Sequence, residues 1–451
     1  MYNNYTPLQQ RQLALQEYSN TQSTYLLVCA PARSTALKAT LTDQLHRKFR
    51  LVDRLDGKLT ASVDGVLLAA EDVELMSTAL MYFAKALQDG ADYAVCNAVF
   101  GFGGATALYQ SQPLQAQNRC AVVSRTLLER CRAAAHDPEN VPELLALAAQ
   151  LCTKPTLIPQ ALLHYERGIC AEDAFSAHGK RAFIMSHVLD MTGAPIVLVS
   201  AVPVLRSMGY EVLVLGPSDG GSLHLFLDAG ASVITRSSCR NVSDAWGMAL
   251  CADFVIANTV VMARAVRALS GTAVPVLWWL HDAFAGYPHI AHQIPTQLGE
   301  NVRVYSVGSH AANAMRAVRP EFEIRPLIYG LPDYAAENFV RTDLGYNRGR
   351  PLFATVGSFE RRKGHDIFCK AIRLLPPEVR EKASFLFVGQ AADKEMMDSV
   401  RTLTADYPEN VFYCKRLTRD EIKSLMEQCT GLVCASRDDP MPTFVTEGLI
   451  F

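Results

Sequence analysis

A short glycine-bounded loop between a strand pattern and a helix pattern constrains the fold of this chain most. The apolar run 352–356 predicts a buried strand, and residues 357–364 follow it with the sequence GSFERRKG. From His365 onward, apolar residues recur at the spacing of one helix face. A strand, a tight loop and a helix in this order favour an α/β fold.

The loop also concentrates positive charge. Arg361, Arg362 and Lys363 stand together at the end of the predicted strand, with Gly357 and Gly364 on either side. Cations, backbone that can approach a ligand closely, and the positive terminus of the following helix all favour an anion. The pattern predicts an anion-binding loop, and a solvated basic turn remains the alternative.

A second motif follows another apolar run, 432–435. Residues 438–443 read DDPMPT, and Glu447 follows about one helical turn after Thr443, which suits an N-cap or first-turn position. Carboxylates of Asp439 and Glu447 could then face one cleft and accept sugar or ribose hydroxyls. The other interpretation makes Asp438 and Asp439 turn and capping residues. Together with the basic loop, this motif predicts a nucleotide-sugar site.

In these two motifs the chain resembles a family 4 glycosyltransferase. That family has a Gly-Arg-x-x-x-x-Lys-Gly loop followed by a Glu-x7-Glu motif, in the order and spacing found here. The resemblance implies that Lys363 binds the pyrophosphate. Asp439 stands at the first glutamate, and Glu447 at the second, which in the family holds the nucleotide ribose.

The sequence departs from the family pattern at two positions. The arginine of the family loop falls on Ser358, so Arg361 or Arg362 would have to supply the second cation. The first glutamate is the shorter Asp439, which weakens the expectation of a sugar contact there.

The upstream half shows a similar alternation of strands and helices. Residues 181–186 predict a strand, and Gly193-Ala194-Pro195 predicts a tight turn that opens a helix. This part resembles the first Rossmann-like half of the same transferases, which places Gly193 near the donor phosphates and acceptor. A glycine needed for the turn alone is the alternative. Pro203 predicts a kink or an early end of the helix.

A histidine follows another predicted buried strand, 274–280. Ligands bind outside the carboxyl ends of strands in open parallel sheets, where His281 falls. The resemblance places a histidine there, near the donor sugar, and a structural hydrogen-bonding role is the alternative. His289 and His292 have an HxxH spacing, but a third metal ligand is not identified, and no metal is expected.

In the first part of the chain, strands are predicted at 25–31 and 63–68, with a helix-like stretch through Leu45 and an amphipathic helix over 73–87. With this order and an apolar stretch that ends in His164 and Tyr165, residues 20–168 bear a weak resemblance to a degenerate family 2 glycosyltransferase. Such a transferase needs an Asp-x-Asp motif to hold a divalent metal, and this sequence contains none. Glu71, Asp72 and Glu74 are predicted in the first turn of a helix. The domain is therefore expected to be inactive or scaffolding.

The predicted fold class is α/β, with two Rossmann-like domains of GT-B type, the second truncated, preceded by a small GT-A-like α/β domain. The predicted boundaries are 1–170 for the degenerate domain, 171–180 for a linker, 181–340 for the acceptor-side domain and 341–451 for the nucleotide-sugar-side domain. The chain ends at Phe451, before the elements that complete the family's second domain, so a truncated chain is expected.

Composition indicates an intracellular protein. The 12 cysteines of the 451-residue chain include no CxxC pair and are expected to be reduced and buried. The formal net charge of -2 gives no electrostatic case for nucleic acid. A signal peptide and a membrane-spanning run are not recognisable, so a cytoplasmic location is expected. A lipid-linked acceptor would require peripheral membrane contact.

The expected function is transfer of a sugar from a nucleotide-sugar donor to a glycan or lipid-linked hydroxyl. The resemblance implies retention of anomeric configuration, without a metal or other cofactor. A general base is not assigned. Two alternatives stay open: a non-catalytic binding or scaffold protein derived from glycosyltransferases, and a GT-B sugar-nucleotide epimerase.

Overall fold

The computed structural model of the 451-residue chain forms two compact units. The first comprises Tyr2–Met191 and Ala201–Val255, and the second comprises Thr192–Ser200 and Ile256–Phe451. The structure describes residues 21, 23–30, 34–57, 59–70, 73–102, 106–110, 119–165, 179–218, 220–237, 239–240, 244–331, 346, 349–415, 417 and 419–451. The predicted linker therefore lies outside the described residues except at Gly179 and Lys180, as do Glu71 and Asp72.

The elements up to residue 236 are a mixture of strands and helices. They are β1 (Leu26–Cys29), α1 (Thr35–Leu41), β2 (Phe49–Val52), β3 (Gly65–Ala69), β4 (Glu74–Leu75), α2 (Ala79–Gln88), β5 (Tyr93–Phe102), β6 (Thr106–Gln110), β7 (Cys120–Ser124), α3 (Arg125–Ala134), α4 (Val141–Leu151), β8 (Pro155–Tyr165), β9 (Lys180–Met185), α5 (Gly193–Ser207), β10 (Tyr210–Gly216), α6 (Leu223–Asp228) and β11 (Ser232–Arg236).

The first unit contains a mixed sheet. Its strand order is β9-β10-β11-β6-β5-β7-β3-β1-β2, and β8 pairs with both β5 and β4. Strands β9, β10 and β11 are parallel to one another, and β1 is parallel to β2 and β3. Apolar residues of this sheet pack with one face of α3 and α4, including Leu127 and Leu144. The burial of complete strands such as β3 explains their continuous apolar sequence.

The structure contradicts one sequence prediction in this part and one alternative of another. Glu74 does not lie in the first turn of a helix, because Glu74 and Leu75 pair with β8 and the helix begins at Ala79. The Glu74 carboxylate contacts His164 Nδ1 at 2.6 Å. Helix α5 does not end early at Pro203 but continues to Ser207, and the kink that was the other possibility stays a prediction. The helix therefore tolerates the loss of one backbone hydrogen bond, because proline has no N–H group to donate it.

Strand β6 joins the amino-terminal segment to the β9-β10-β11 strands. It pairs with β11 in antiparallel register, from Val233 opposite Tyr109 to Arg236 opposite Thr106. Deleting residues 1–178 would leave the backbone groups of this β11 edge without their partner strand. Exposed sheet edges promote pairing between chains.

We therefore expect the chain 179–451 to be recovered mainly as aggregate, whereas the full chain stays dispersed. Size-exclusion chromatography with light scattering measures the difference. As a control, charged substitutions on the β11 edge of the short chain should recover part of the dispersed fraction. A monodisperse, stable 179–451 chain would contradict this role of β6.

The remaining elements belong to the second unit, apart from the first two residues of β12. They are β12 (Phe254–Asn258), α7 (Ala263–Leu269), β13 (Val276–Leu280), β14 (Val302–Ser306), α8 (Ser309–Arg316), β15 (Ile324–Pro326), β16 (Leu352–Val356), α9 (His365–Leu374), α10 (Pro377–Arg380), β17 (Ser384–Val388), α11 (Lys394–Asp406), β18 (Val411–Cys414), α12 (Arg419–Gln428), β19 (Gly431–Leu432) and α13 (Thr443–Ile450).

Two sets of parallel strands organise the second unit. One has the order β15-β14-β13-β12, and the other has the order β18-β17-β16-β19. All pairs in the second set are parallel, as is the pairing of β13 with β14 and of β14 with β15. The α/β class with parallel sheets is thus confirmed. The domain boundaries and the GT-A-like character of the first segment stay predictions.

The cysteines of the described residues are free thiols. Six of them are buried, in agreement with the sequence analysis, whereas three are partly buried and Cys251 and Cys434 are exposed. At Cys434 the reason is that β19 ends at Leu432, so the strand predicted over 432–435 is shorter than its apolar sequence suggests. In the described part of the chain, no helix combines the length and apolar character needed to cross a bilayer.

Candidate functional site

The basic loop makes a tight turn between β16 and α9. Arg361–Lys363 form a single 3-10 turn, and Gly364 has the left-handed conformation, with φ 71° and ψ 26°. A Cβ atom at Gly364 would overlap the carbonyl group of Ala435. Glycine is therefore required by the backbone itself. Its expected role in bringing the loop close to a ligand stays a prediction.

Lys363 and Asp439 bring the two sequence motifs together. Lys363 Nζ lies 2.5 Å from Asp439 Oδ2, and the two side chains are 17% and 9% exposed. Arg362 Nη1 is 3.8 Å from Asp439 Oδ1. The acidic loop thus provides a carboxylate for both cations. In this partly buried setting their attraction is stronger than at an exposed surface.

Ser358, which stands where the family pattern has an arginine, makes a contact within the basic loop. Its hydroxyl donates a hydrogen bond to Glu360 Oε1 at 2.7 Å, and Arg362 Nη2 lies 2.9 Å from the same oxygen. Glu360 therefore holds Arg362 beside the loop. Ser358 contributes by orienting Glu360 rather than by supplying charge.

Arg437 braces the basic loop from the second motif. Its guanidinium makes two hydrogen bonds of 2.7 Å to the carboxylate of Asp366 and donates to the carbonyl of Arg361 at 2.9 Å. These hydrogen bonds lower the pKa of Asp366. The Arg361 residue is exposed, and its carbonyl is the group held by Arg437. Of the two arginines predicted as the second cation, Arg362 is the one next to Asp439.

The helix after the acidic loop begins at Thr443, and Pro442 occupies the N-cap position. Thr443 is thus a first-turn residue, one of the two predicted positions. Glu447 is 7% exposed on the same helix. A Cβ atom at Gly193 would lie 3.3 Å from Thr443 Cγ2, which shows that the first turn of α5 and the first turn of α13 are in close contact.

His281 lies at the carboxyl end of β13, as predicted from the strand pattern. Its ring is 4.7 Å from the Trp279 ring and stacks on the Tyr329 ring at 6.1 Å between centroids. The Tyr329 hydroxyl donates to the carbonyl of Met441 at 2.8 Å. Burial raises the pKa of Tyr329 to about 12, and the charges of Asp439 and Glu447 add to this effect. Tyr329 therefore links His281 to the acidic loop.

A strained turn follows β12, the strand next to β13 and therefore close to His281. Thr259 has φ 75°, a conformation that β-branched residues rarely adopt. The turn is fixed because Trp278 Nε1 donates to the Thr259 carbonyl at 2.8 Å and Val260 N donates to Asp282 Oδ2 at 2.5 Å. Burial raises the pKa of Asp282 to about 6. Such strain commonly accompanies functional sites.

Sequence reasoning missed Tyr329, Arg437 and the turn at Thr259. Tyr329 follows the three-residue strand β15, which has no clear strand pattern, and a left-handed threonine has no local signature. His289 and His292 follow His281 in the chain and precede the basic and acidic loops. Among the residues that the structure describes, no group of three or more His, Cys, Asp or Glu side chains is arranged to hold a metal ion.

This arrangement belongs to the class of α/β enzymes that bind a ligand outside the carboxyl ends of parallel strands. Cations of one loop, carboxylates of a second loop and an aromatic-flanked histidine lie at such ends. Residues 178–318 match the model of the family "Glycosyl-transferase family 4", and residues 337–451 match that of "Glycosyl transferases group 1". Over these residues the chain belongs to the glycosyltransferases of family 4 type, and it is a glycosyltransferase.

The resemblance to family 4 glycosyltransferases is thereby confirmed for residues 178–318 and 337–451. Residues 1–177 lie outside both matches, so their likeness to family 2 stays a prediction. A comparison with curated proteins gives no significant match.

Several solved structures are similar to the chain. HepE from Anabaena, in complex with UDP and glucose, is 16% identical, with 60% of this chain and 78% of that chain covered and a TM-score of 0.48. WaaG, a glycosyltransferase involved in lipopolysaccharide biosynthesis, is 15% identical, with coverage of 60% and 78% and a TM-score of 0.43. An α,α-trehalose-phosphate synthase from Burkholderia vietnamiensis is 12% identical, with coverage of 60% and 80% and a TM-score of 0.40. The family assignment rests on the two family models.

Proposed function

We propose that the protein transfers a sugar from a nucleotide-sugar donor to a hydroxyl of a glycan or lipid-linked acceptor, with retention of configuration and without a metal. The observation that carries this proposal is the Lys363–Asp439 pair, which joins the basic and acidic loops at 2.5 Å. A diphosphate carries about two negative charges and would replace the Asp439 carboxylate at Lys363. The ammonium group would then stabilise the leaving nucleoside diphosphate.

The other candidate residues receive roles that fit their positions. Arg362 supplies the second cation, because it already lies 3.8 Å from Asp439, and Arg361 stays at the solvent side of the loop. Ser358 keeps Arg362 in place through Glu360. Two cations and the N–H groups at the start of α9 can stabilise the diphosphate, so the mechanism needs no metal.

The acidic loop and its helix bind the sugar and ribose. Asp439, once released from Lys363, accepts a hydrogen bond from a sugar hydroxyl. Glu447 accepts hydrogen bonds from the ribose hydroxyls. Gly193 lets the first turn of α5 approach Thr443 closely on the donor side, since a side chain there would press on Thr443 Cγ2. His281 contacts the donor sugar from the opposite side, held between Trp279 and Tyr329. A lipid-linked acceptor would bring the protein to a membrane surface, and the protein acts in the cytoplasm.

Product analysis tests this function. We expect the purified chain, with one of UDP-glucose, GDP-mannose or dTDP-glucose and a mixture of oligosaccharide acceptors, to release the nucleoside diphosphate and form a glycoside with the donor's anomeric configuration. Nuclear magnetic resonance of the product identifies the anomer. Isomerised sugar nucleotide without acceptor use would identify an epimerase. Nucleotide binding without any product would identify a binding or scaffold protein.

A further inference from the structure

The side chain of Asp438 points away from the basic loop and contacts two other segments. Asp438 Oδ1 accepts a hydrogen bond from His310 Nε2 at 2.7 Å and from Phe284 N at 3.3 Å, and Oδ2 accepts from Ala285 N at 2.9 Å. These hydrogen bonds lower the pKa of Asp438 against the opposing effect of burial. The carboxylate is therefore charged when it makes these contacts.

The two backbone donors open the turn that follows His281. Phe284–Gly286 form a 3-10 turn, and its N-cap residue Ala283 has no side chain that could accept a hydrogen bond. The first N–H groups of a helical turn need acceptors, and a carboxylate at that end is electrostatically favourable. Asp438 supplies the cap that Ala283 lacks, although it is more than 150 residues away.

His310 strengthens the same connection. It is the second residue of α8, at the carboxyl end of β14, and its ring packs edge-on against the Phe284 ring at 5.2 Å between centroids. Asp438, His310 and Phe284 thus form one cluster that joins the acidic loop to the ends of two strands. The hydrogen bond from Tyr329 to the Met441 carbonyl makes a second connection, on the other side of His281.

We propose that Asp438 is a positioning residue that fixes the turn after His281 to the acidic loop. As a result, His281 and the Lys363–Asp439 pair contact the same donor sugar. The two neighbouring aspartates then have separate roles: Asp439 acts at Lys363, and Asp438 acts at the histidine turn. The role assigned to the donor sugar rests on the proposed function, whereas the capping role does not.

Asp438→Asn tests this role with little change in shape. The amide removes the charge and replaces one of the two accepting oxygens by an NH2 group, so at least one hydrogen bond of the cap is lost. We expect the exchange of the Phe284 and Ala285 amide hydrogens, followed by mass spectrometry or nuclear magnetic resonance, to accelerate by about tenfold or more. His310→Gln should give a smaller change in the same direction. Asp398→Asn, which removes an exposed carboxylate 3.8 Å from Arg401 on α11, should leave this exchange unchanged.

The second readout separates positioning from stability. Calorimetric titrations of the variant and the natural chain with UDP and UDP-glucose, GDP and GDP-mannose, and dTDP and dTDP-glucose give the affinity that the sugar adds to the nucleotide. We expect Asp438→Asn to reduce this added affinity by about tenfold and to change the affinity for the nucleoside diphosphate by less than about threefold. A general loss of folded protein would lower the affinities for the nucleoside diphosphate and for the sugar nucleotide to the same extent, and would leave the affinity added by the sugar unchanged.

The outcomes are distinguishable. Faster exchange at Phe284 and Ala285 with a reduced sugar contribution is the expected result. Unchanged exchange overturns the capping role, and unchanged sugar contribution overturns the positioning role. If the natural chain binds none of the nucleotides, the proposed function fails, while the exchange measurement still decides whether Asp438 holds the turn.

Discussion

Gly364→Ala is expected to lower the free energy of unfolding by about 3 kcal/mol or more. Two costs add at this position. Alanine disfavours the left-handed conformation with φ 71°, and its Cβ atom would overlap the backbone carbonyl of Ala435. Because the obstructing group is backbone, it cannot rotate aside as a flexible side chain would. The midpoint of urea unfolding, followed by circular dichroism, measures the change.

Gly271→Ala is the matched control for this prediction. Gly271 has φ 83°, and a Cβ atom there would meet no other atom within 4 Å. This substitution should therefore cost only the conformational part, about 1 kcal/mol. Equal losses for the two variants would show that the close approach of the basic loop to Ala435 does not exist in solution.

Lys363→Ala is expected to lower kcat/KM for the sugar nucleotide by about 100-fold or more, since a preorganised charge at a leaving group commonly contributes 10²–10³. The loss should appear in the kinetics measured against donor concentration, because Lys363 contacts Asp439 where the basic and acidic loops meet. Release of nucleoside diphosphate at varied donor concentration measures it.

Lys370→Ala provides the control for Lys363. Lys370 lies on helix α9, which follows the basic loop, but its side chain is 76% exposed. Its Nζ atom is 3.9 Å from Asp366 Oδ2. Exposed pairs of this kind contribute little, so activity should stay within about twofold. If both lysine variants retain the natural rate, Lys363 is not the group that binds the diphosphate.

Local features of the sequence explain the parts of the fold that could be predicted. The strand 352–356 and the helix from His365 were predicted because a buried strand, a glycine turn and a helical face each leave a local pattern, and the structure confirms both. Glu74 was misplaced because acidic residues before an apolar run also suit the first turn of a helix. Its partner in strand β8, His164, is 90 residues further along the chain.

The candidate site was predictable to the extent that family motifs mark it. Lys363 and Asp439 were predicted to act together, and they are in contact. The cap that Asp438 provides could not be inferred, because its partners Phe284 and His310 are 154 and 128 residues away and carry no shared motif. Such contacts arise only when the ends of separate strands meet.

Calorimetric titration of the purified 451-residue chain with UDP, GDP and dTDP tests the nucleotide-sugar site most directly. We expect one of the three to bind at a single site and the Lys363→Ala substitution to weaken this binding by about 100-fold. Binding that persists unchanged in the variant, or no binding of any of the three to the natural chain, would contradict the claim that the basic and acidic loops form a nucleotide-sugar site.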